Sequence, residues 1–313
     1  MMDLLNLMLA ALLLSLAVWT VVSRGAFAAV AGFIGYGLLL TLVWVQLHGI
    51  DVALTEAAIG GGLTGALLIN AAKRLRHTEA ATRAERPTAA VRWLAGLLSL
   101  GVTLALGWCV MALPDPAPSL AAEVLAKMGA TEVGNPITAV LLGFRAMDTL
   151  LEAIVLLFAL IGVWSLTPDE YWGGRPGLLQ TADPNGMLAY AARLLPPLGI
   201  VVGAYIFWIG ADHPGGKFQG ATLMAAMWLL VLMAGLADAP PISRRWLRAL
   251  LVAGPLIFIA VGVGGSVSAG AFLAYPVGSA KPLILVIEFA LMPTLTLILG
   301  LMLLGAAQRG EKL

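Results

Sequence analysis

Nine long apolar runs with few charges constrain what this chain can become. They cover residues 4–22, 27–47, 51–72, 92–113, 137–166, 189–210, 218–236, 248–265 and 283–306. A membrane-crossing helix needs about 20 such residues at a rise of about 1.5 Å each, whereas a barrel strand needs only about 10. The runs therefore predict an all-α fold, a polytopic integral membrane bundle of about nine transmembrane helices. Composition agrees. Of 313 residues, 60% are hydrophobic and 11% are charged, against about 25% charged in an ordinary soluble domain. A soluble globular enzyme, a disordered chain and a nucleic-acid-binding module are excluded.

The first run reads as an uncleaved span. A secretory signal opens with basic residues, but here Met1, Met2 and Asp3 precede the run and the first cation, Arg24, follows it. A cleaved signal is the alternative. Orientation follows from lysine and arginine in the short loops. Lys73, Arg74, Arg76, Arg83, Arg86 and Arg92 crowd one loop; Arg244, Arg245 and Arg248 follow the seventh run; Arg309 and Lys312 end the chain. The loop 114–136 is acidic, with Asp115, Glu123 and Glu132 against Lys127. Nine alternating spans then place Met1 outside and Leu313 in the cytoplasm. The expected localisation is a membrane that the chain crosses several times.

Polar interruptions divide the runs into blocks. Residues 1–76 hold three spans, 77–91 read as a cytoplasmic linker around Pro87, and 92–166 hold two spans. A stretch at 167–188 rich in proline and glycine reads as a second cytoplasmic loop, and 189–313 hold the last four spans.

A charge at bilayer depth costs a few kcal/mol even on lenient insertion scales, so each one demands a reason. The fifth run holds Arg145, Asp148 and Glu152. On one continuous helix Asp148 lies about 60° and Glu152 about 20° from Arg145, so all three share a stripe. That stripe is either a proton or cation relay or a static ion pair that glues two helices. Asp51 opens the third run, where an acid also suits a helix N-terminus. Glu56 lies deeper and precedes Gly60, Gly61 and Gly62, which allow close packing or a local break. Glu288 is alone in the ninth run and either titrates or donates as a neutral acid. Gly262, Gly264, Gly265, Ser266 and Ser268 suit close helix approach. His213 sits in a Pro-Gly-Gly turn, as a proton antenna at the outer surface or a solvated loop residue. Lys217 reads as snorkelling to the headgroups.

Other chemistry finds no support. One cysteine, Cys109, makes no disulfide framework or multi-cysteine metal site. His48, His77 and His213 are too scattered for metal-ligand spacing. There is no phosphate loop, dinucleotide fingerprint, haem or flavin signature, or nucleophile–base pair. The expectation is a chain with no cofactor, no metal and no nucleic-acid partner, and no enzyme on its own.

Three stretches resemble the Mrp-type multisubunit cation/proton antiporter family. Asp51-Val52-Ala53-Leu54-Thr55-Glu56 resembles a motif of the MrpA C-terminal region that stands alone as MbhD in membrane-bound hydrogenases. Phe144-Arg145-Ala146-Met147-Asp148-Thr149-Leu150-Leu151-Glu152 is similar to the MrpA segment equivalent to MbhE. His213-Pro214-Gly215-Gly216-Lys217-Phe218-Gln219-Gly220 is similar to the glycine-rich turn of MrpB, the MbhF-like part. Departures stand at Ile50 for proline, Gly143 for an acid, and Lys217 for the central glycine of the turn.

The resemblance implies an MrpA tail fused to MrpB. It implies a hetero-oligomer with larger antiporter-like subunits and small membrane subunits in the lipid bilayer. It also implies sodium or proton passage through Asp51, Glu56, Arg145, Asp148 and Glu152, with Glu288 on a second branch. The alternatives are a structural scaffold, or the membrane module of a redox-driven pump such as a membrane-bound hydrogenase.

Overall fold

The computed structural model describes residues 2–84, 88–116, 118–180 and 183–310. Glu85, Arg86, Pro87 and Lys312, and the side chains of Arg74, Arg76, His77 and Arg83, lie outside the described residues.

Each predicted run lies on a helix. They are α1 (Met2–Val22), α2 (Ala26–Gln46), α3 (50–84), α4 (Ala89–Met111), α6 (136–164), α7 (Met187–Ile209), α8 (Lys217–Met233), α9 (Arg245–Ser268) and α10 (Ala280–Leu304). A short α5 (Ala121–Lys127) lies in the loop before α6. Eight of these helices are long and apolar enough to span a membrane. The ninth, α8, is apolar but falls just below that length, because the run's last residues Gly235 and Leu236 leave the helix in a glycine turn.

Two boundaries differ from the sequence reading. Residues 77–84, expected in a linker, continue α3 as helix to Ala84. Ala80, Ala81 and Ala84 are strong helix formers, and no breaker precedes Pro87. The fifth run is not one continuous α-helix. It is built of Pro136–Thr138, a wide π-turn over Ala139–Phe144, and Ala146–Trp164, with Arg145 out of helical geometry at φ −128° between them. The Thr149 hydroxyl donates to Leu141 O at 2.6 Å, which satisfies a carbonyl beside the break.

Packing sets up a centre and a periphery. Helix α10 is the hub, against α6, α8 and α9, while α8 also packs on α7 and α3. The core joins Leu142 and Leu150 of α6, Phe207 of α7, Phe258 of α9, and Ile284, Ile287, Leu291 and Leu295 of α10. Close approach of α7 and α8 needs glycine: a Cβ at Gly220 would stand 2.7 Å from Gly203 O. Gly262 and Gly265 of α9 also permit close approach, but to the loop after the helix: Phe272 and Ala274 fold onto them. At the periphery, α4 buries none of its residues.

Loops gather at two ends. One end joins the turn 210–216 to Asp51, Asn135 and Lys281. At the other, β1 (Arg175–Pro176) pairs antiparallel with β2 (Ala307–Arg309), and Asp238 holds Arg309. The second end carries most of the described loop cations, so it is termed the cation-rich end.

Candidate functional site

The Pro-Gly-Gly turn and the start of α3 build one corner of the site. Gly215 has φ 152° and Gly216 φ 146°, a region closed to most side chains. This geometry aims the Gly215 N–H at Asp51 Oδ1, at 2.9 Å. Asn135 Nδ2 donates to the same oxygen at 3.3 Å, to Gly210 O at 3.2 Å and to His213 O at 2.9 Å. Gln219 Nε2 reaches Thr55 Oγ1 at 2.9 Å. Asp51 therefore ties the start of α3 to the start of α6 and to the turn before α8. Asn135 and Gln219 carry no charge and escaped the sequence reading; Gln219 was legible only as part of the turn motif.

Next to this corner, Glu56 lies in the groove between α3 and α2. The helix widens into a π-turn over Glu56–Thr64, so the three glycines neither break it nor leave it regular. A Cβ at Gly37 of α2 would stand 3.1 Å from Glu56 Oε1 and 3.3 Å from Gly61 Cα. The glycines thus admit both the neighbouring helix and the carboxylate.

Deeper in the bundle lies a pair that the sequence did not join. Lys217 opens α8 and is buried, and its Nζ stands 3.6 Å from Glu288 Oε1 on α10. Their side chains are 4% and 3% exposed, so water does not screen them. At that separation two unit charges attract by about 5 kcal/mol for an effective dielectric near 20. Removing both from water opposes much of that gain. The other carboxylate oxygen, Glu288 Oε2, is buried without a hydrogen-bond partner among the described residues. Lys217 also lies 5.6 Å from the centre of the Phe218 ring, whereas Glu152 of α6 is exposed on its helix. Lys217 therefore does not snorkel. It faces inward because the turn fixes the start of α8 against α10.

The remaining predicted residues divide. Arg145 and Asp148 do form an ion pair, but on an outward face, with side chains 69% and 53% exposed. Phe144, Met147, Leu151, Val155 and Phe158 are exposed on the same segment. His213 is exposed in its turn. Beside it, Asp212 accepts from Lys281 Nζ at 2.7 and 2.8 Å, and the ammonium holds this carboxyl below its usual range. In the loop before α10, the Tyr275 hydroxyl donates to Leu142 O at 2.7 Å. Burial first, and the Glu288 charge second, push this phenol above its ordinary range. No group of three or more potential metal ligands occurs among the described residues.

Comparison with known proteins bears on the same segments. Residues 11–77 match the MbhD family of MBH subunits, and residues 187–308 match a domain related to the MnhB subunit of Na+/H+ antiporter. The chain is an Mrp-type fusion of MbhD-like and MnhB-like parts. Asp51 and Glu56 lie in the MbhD-like part, while Lys217 and Glu288 lie in the MnhB-like part. The two matches leave residues 78–186 between them.

Relatives of this fusion include a probable A/B subunit of a K(+)/H(+) antiporter from Rhizobium meliloti. It is 24% identical over 77% of this chain and 26% of its own length. An uncharacterized protein, MJ1307, of Methanocaldococcus jannaschii is 27% identical over 45% of this chain and 60% of its own length. The chain thus spans less than two thirds of either relative. The fold is that of a chain in the Mrp complex from Dietzia sp. DQ12-45-1b, with TM-score 0.73, 23% identity, and coverage of 97% of this chain and 35% of that one. A chain of the membrane-bound sulfane sulfur reductase, an archaeal respiratory membrane complex, matches with TM-score 0.53 and 24% identity. That match covers 68% of this chain and 97% of the other. Multiple apolar helices and these relatives make the fusion a multi-pass prokaryotic membrane protein.

Proposed function

We propose that the fusion is a non-catalytic integral subunit of an Mrp-type cation/proton antiporter complex, and that its membrane-embedded carboxylates form part of the ion path. The observation that carries this reading is the buried Lys217–Glu288 pair with one carboxylate oxygen unpartnered. A buried charge persists only with a partner, and a half-satisfied carboxylate retains capacity for a proton, a cation or a water. Glu152, exposed on α6, is a further station, and Glu56 supplies another carboxylate on the α2–α3 side. Asp51 is reassigned from carrier to anchor, since its Oδ1 already accepts two hydrogen bonds.

The exposed Arg145–Asp148 pair supports assembly. A charged pair on an outward membrane face needs protein or water against it, and a neighbouring subunit of the complex supplies that cover. The segment 92–166 then acts as the MbhE-like part. The lysine and arginine bias supports a cytoplasmic cation-rich end, with His213 as a proton antenna at the other surface.

The test is exchange activity of the whole complex in membrane vesicles carrying Glu152→Gln. At least tenfold slower cation/proton exchange is expected, with the complex intact on a native gel. Wild-type exchange from an intact complex removes Glu152 from the path, and a dissociated complex makes the residue structural.

A further inference from the structure

At the cation-rich end, a cavity of about 900 Å³ opens where α6, α8 and α10 finish beside α3. Its walls come from the end of the hydrophobic part of α3 (Leu67, Asn70, Lys73), the end of α6 (Val163), the end of α8 (Leu232) and the end of α10 (Leu303). Gln180, Asp238 and Arg309 line it from the loops. The cavity is thus apolar along the helices and polar at their ends, a gradient that matches one lipid molecule lying tail-inward.

The charge at the polar end is unbalanced. Asp238 accepts from Arg309 Nη1 at 3.0 Å and Nη2 at 2.6 Å, and Arg175 Nη1 lies 3.5 Å away. Two cations, Lys73 and Arg309, line the cavity against one carboxylate, Asp238, and no other acid lines it among the described residues. Backbone carbonyls fix both arginines: Arg175 Nη1 donates to Ala239 O at 2.7 Å, and Arg309 Nε to Gly177 O at 3.1 Å. A net positive charge at the end of an apolar slot, with Arg309 held in place, fits a phosphodiester headgroup.

We infer that this cavity is a binding site for one anionic phospholipid, its phosphate against Lys73 and Arg309 and an acyl chain along α3 and α10. The site lies at the opposite end from the Asp51 corner and does not depend on the ion path.

The experiment uses the full-length protein in its complex, purified, delipidated in mild detergent and titrated with defined lipids under native mass spectrometry. One phosphatidylglycerol per chain is expected at a concentration at least tenfold below that needed for phosphatidylcholine. Lys73→Gln is expected to weaken the preference about fivefold, the equivalent of about 1 kcal/mol per surface cation. Ala66→Trp, which fills the slot, is expected to abolish retention. Gln180→Trp, on an exposed loop, gives the same block without a packing change. Equal retention of the two lipids overturns the assignment, as does retention that ignores both tryptophan variants. Displacement of the lipid by millimolar inorganic phosphate also overturns it, because the site would then serve a soluble anion.

Discussion

Lys217–Glu288 and Arg145–Asp148 are chemically the same kind of pair, a cation against a carboxylate, in opposite surroundings. The first joins two helices and is buried within the chain. The second lies three residues apart at one helix start and faces outward. The bilayer penalises charge in both places, so the difference lies in who supplies the cover. The buried pair is enclosed by its own fold and is a property of the chain. In the proposed function, a neighbouring subunit covers the outward pair. A membrane subunit can thus carry its chemistry inside and its address outside, and exposure separates the two.

Removing one member of each pair is the sharpest way to break that contrast. Glu288→Ala leaves the Lys217 ammonium buried without its carboxylate. Loss of one partner of a buried pair costs about 3–5 kcal/mol, so thermal unfolding in detergent is expected to drop steeply, or the chain not to accumulate. Replacing both, Lys217→Met with Glu288→Leu, is expected to recover most of that stability, because well-packed apolar residues often match a buried ion pair. The double variant is expected to remain inactive in exchange. A double variant as unstable as the single one would mean that the loss comes from packing around α10 and not from an orphaned charge.

Arg145→Ala is the matching change on the outward pair, and a much smaller effect on the chain itself is expected. An exposed pair contributes about 0–1 kcal/mol, so the unfolding midpoint of the isolated chain barely moves. Recovery of the other subunits with the tagged chain is expected to fall at least fivefold. Unchanged recovery would mean that this face meets lipid or water, and that the pair is only local.

Much of the architecture was legible because the bilayer imposes a length. Each of the nine runs has its helix. The acids of the two motifs were legible as residues but not as a geometry. Lys217 looked like an interfacial lysine because its sequence neighbours are a turn and an apolar run. Only tertiary packing brings α10 against α8 and turns that lysine inward. The widened turns at Glu56–Thr64 and Ala139–Phe144 were hidden for a related reason, since an apolar segment shows no periodicity from which a change of pitch can be read. Helix α4 marks the same limit: it is apolar all round, and nothing in its pattern distinguishes a lipid-facing helix from one awaiting a partner.

The aqueous ends offer a third surrounding, and with it the smallest effect. Asp238 is held below its usual range chiefly by its hydrogen bonds to Arg309, and Asp212 by its bond to Lys281. Folding favours the ionised form of both, so their stabilisation is complete above the unfolded aspartate value of about 3.9. It fades as pH falls through the lower folded values. Both groups are partly exposed, and solvent screening limits each to about 0–1 kcal/mol. Melting temperature in detergent is therefore expected to stay flat from neutral pH to about pH 5, then to decline below about pH 4. Asp238→Asn is expected to shrink that decline by lowering the neutral-pH value slightly, by no more than about 1 kcal/mol, while the value in acid stays almost unchanged. If the acid decline keeps its full size in Asp238→Asn and in Asp212→Asn alike, it belongs to the buried carboxylates and not to the ends.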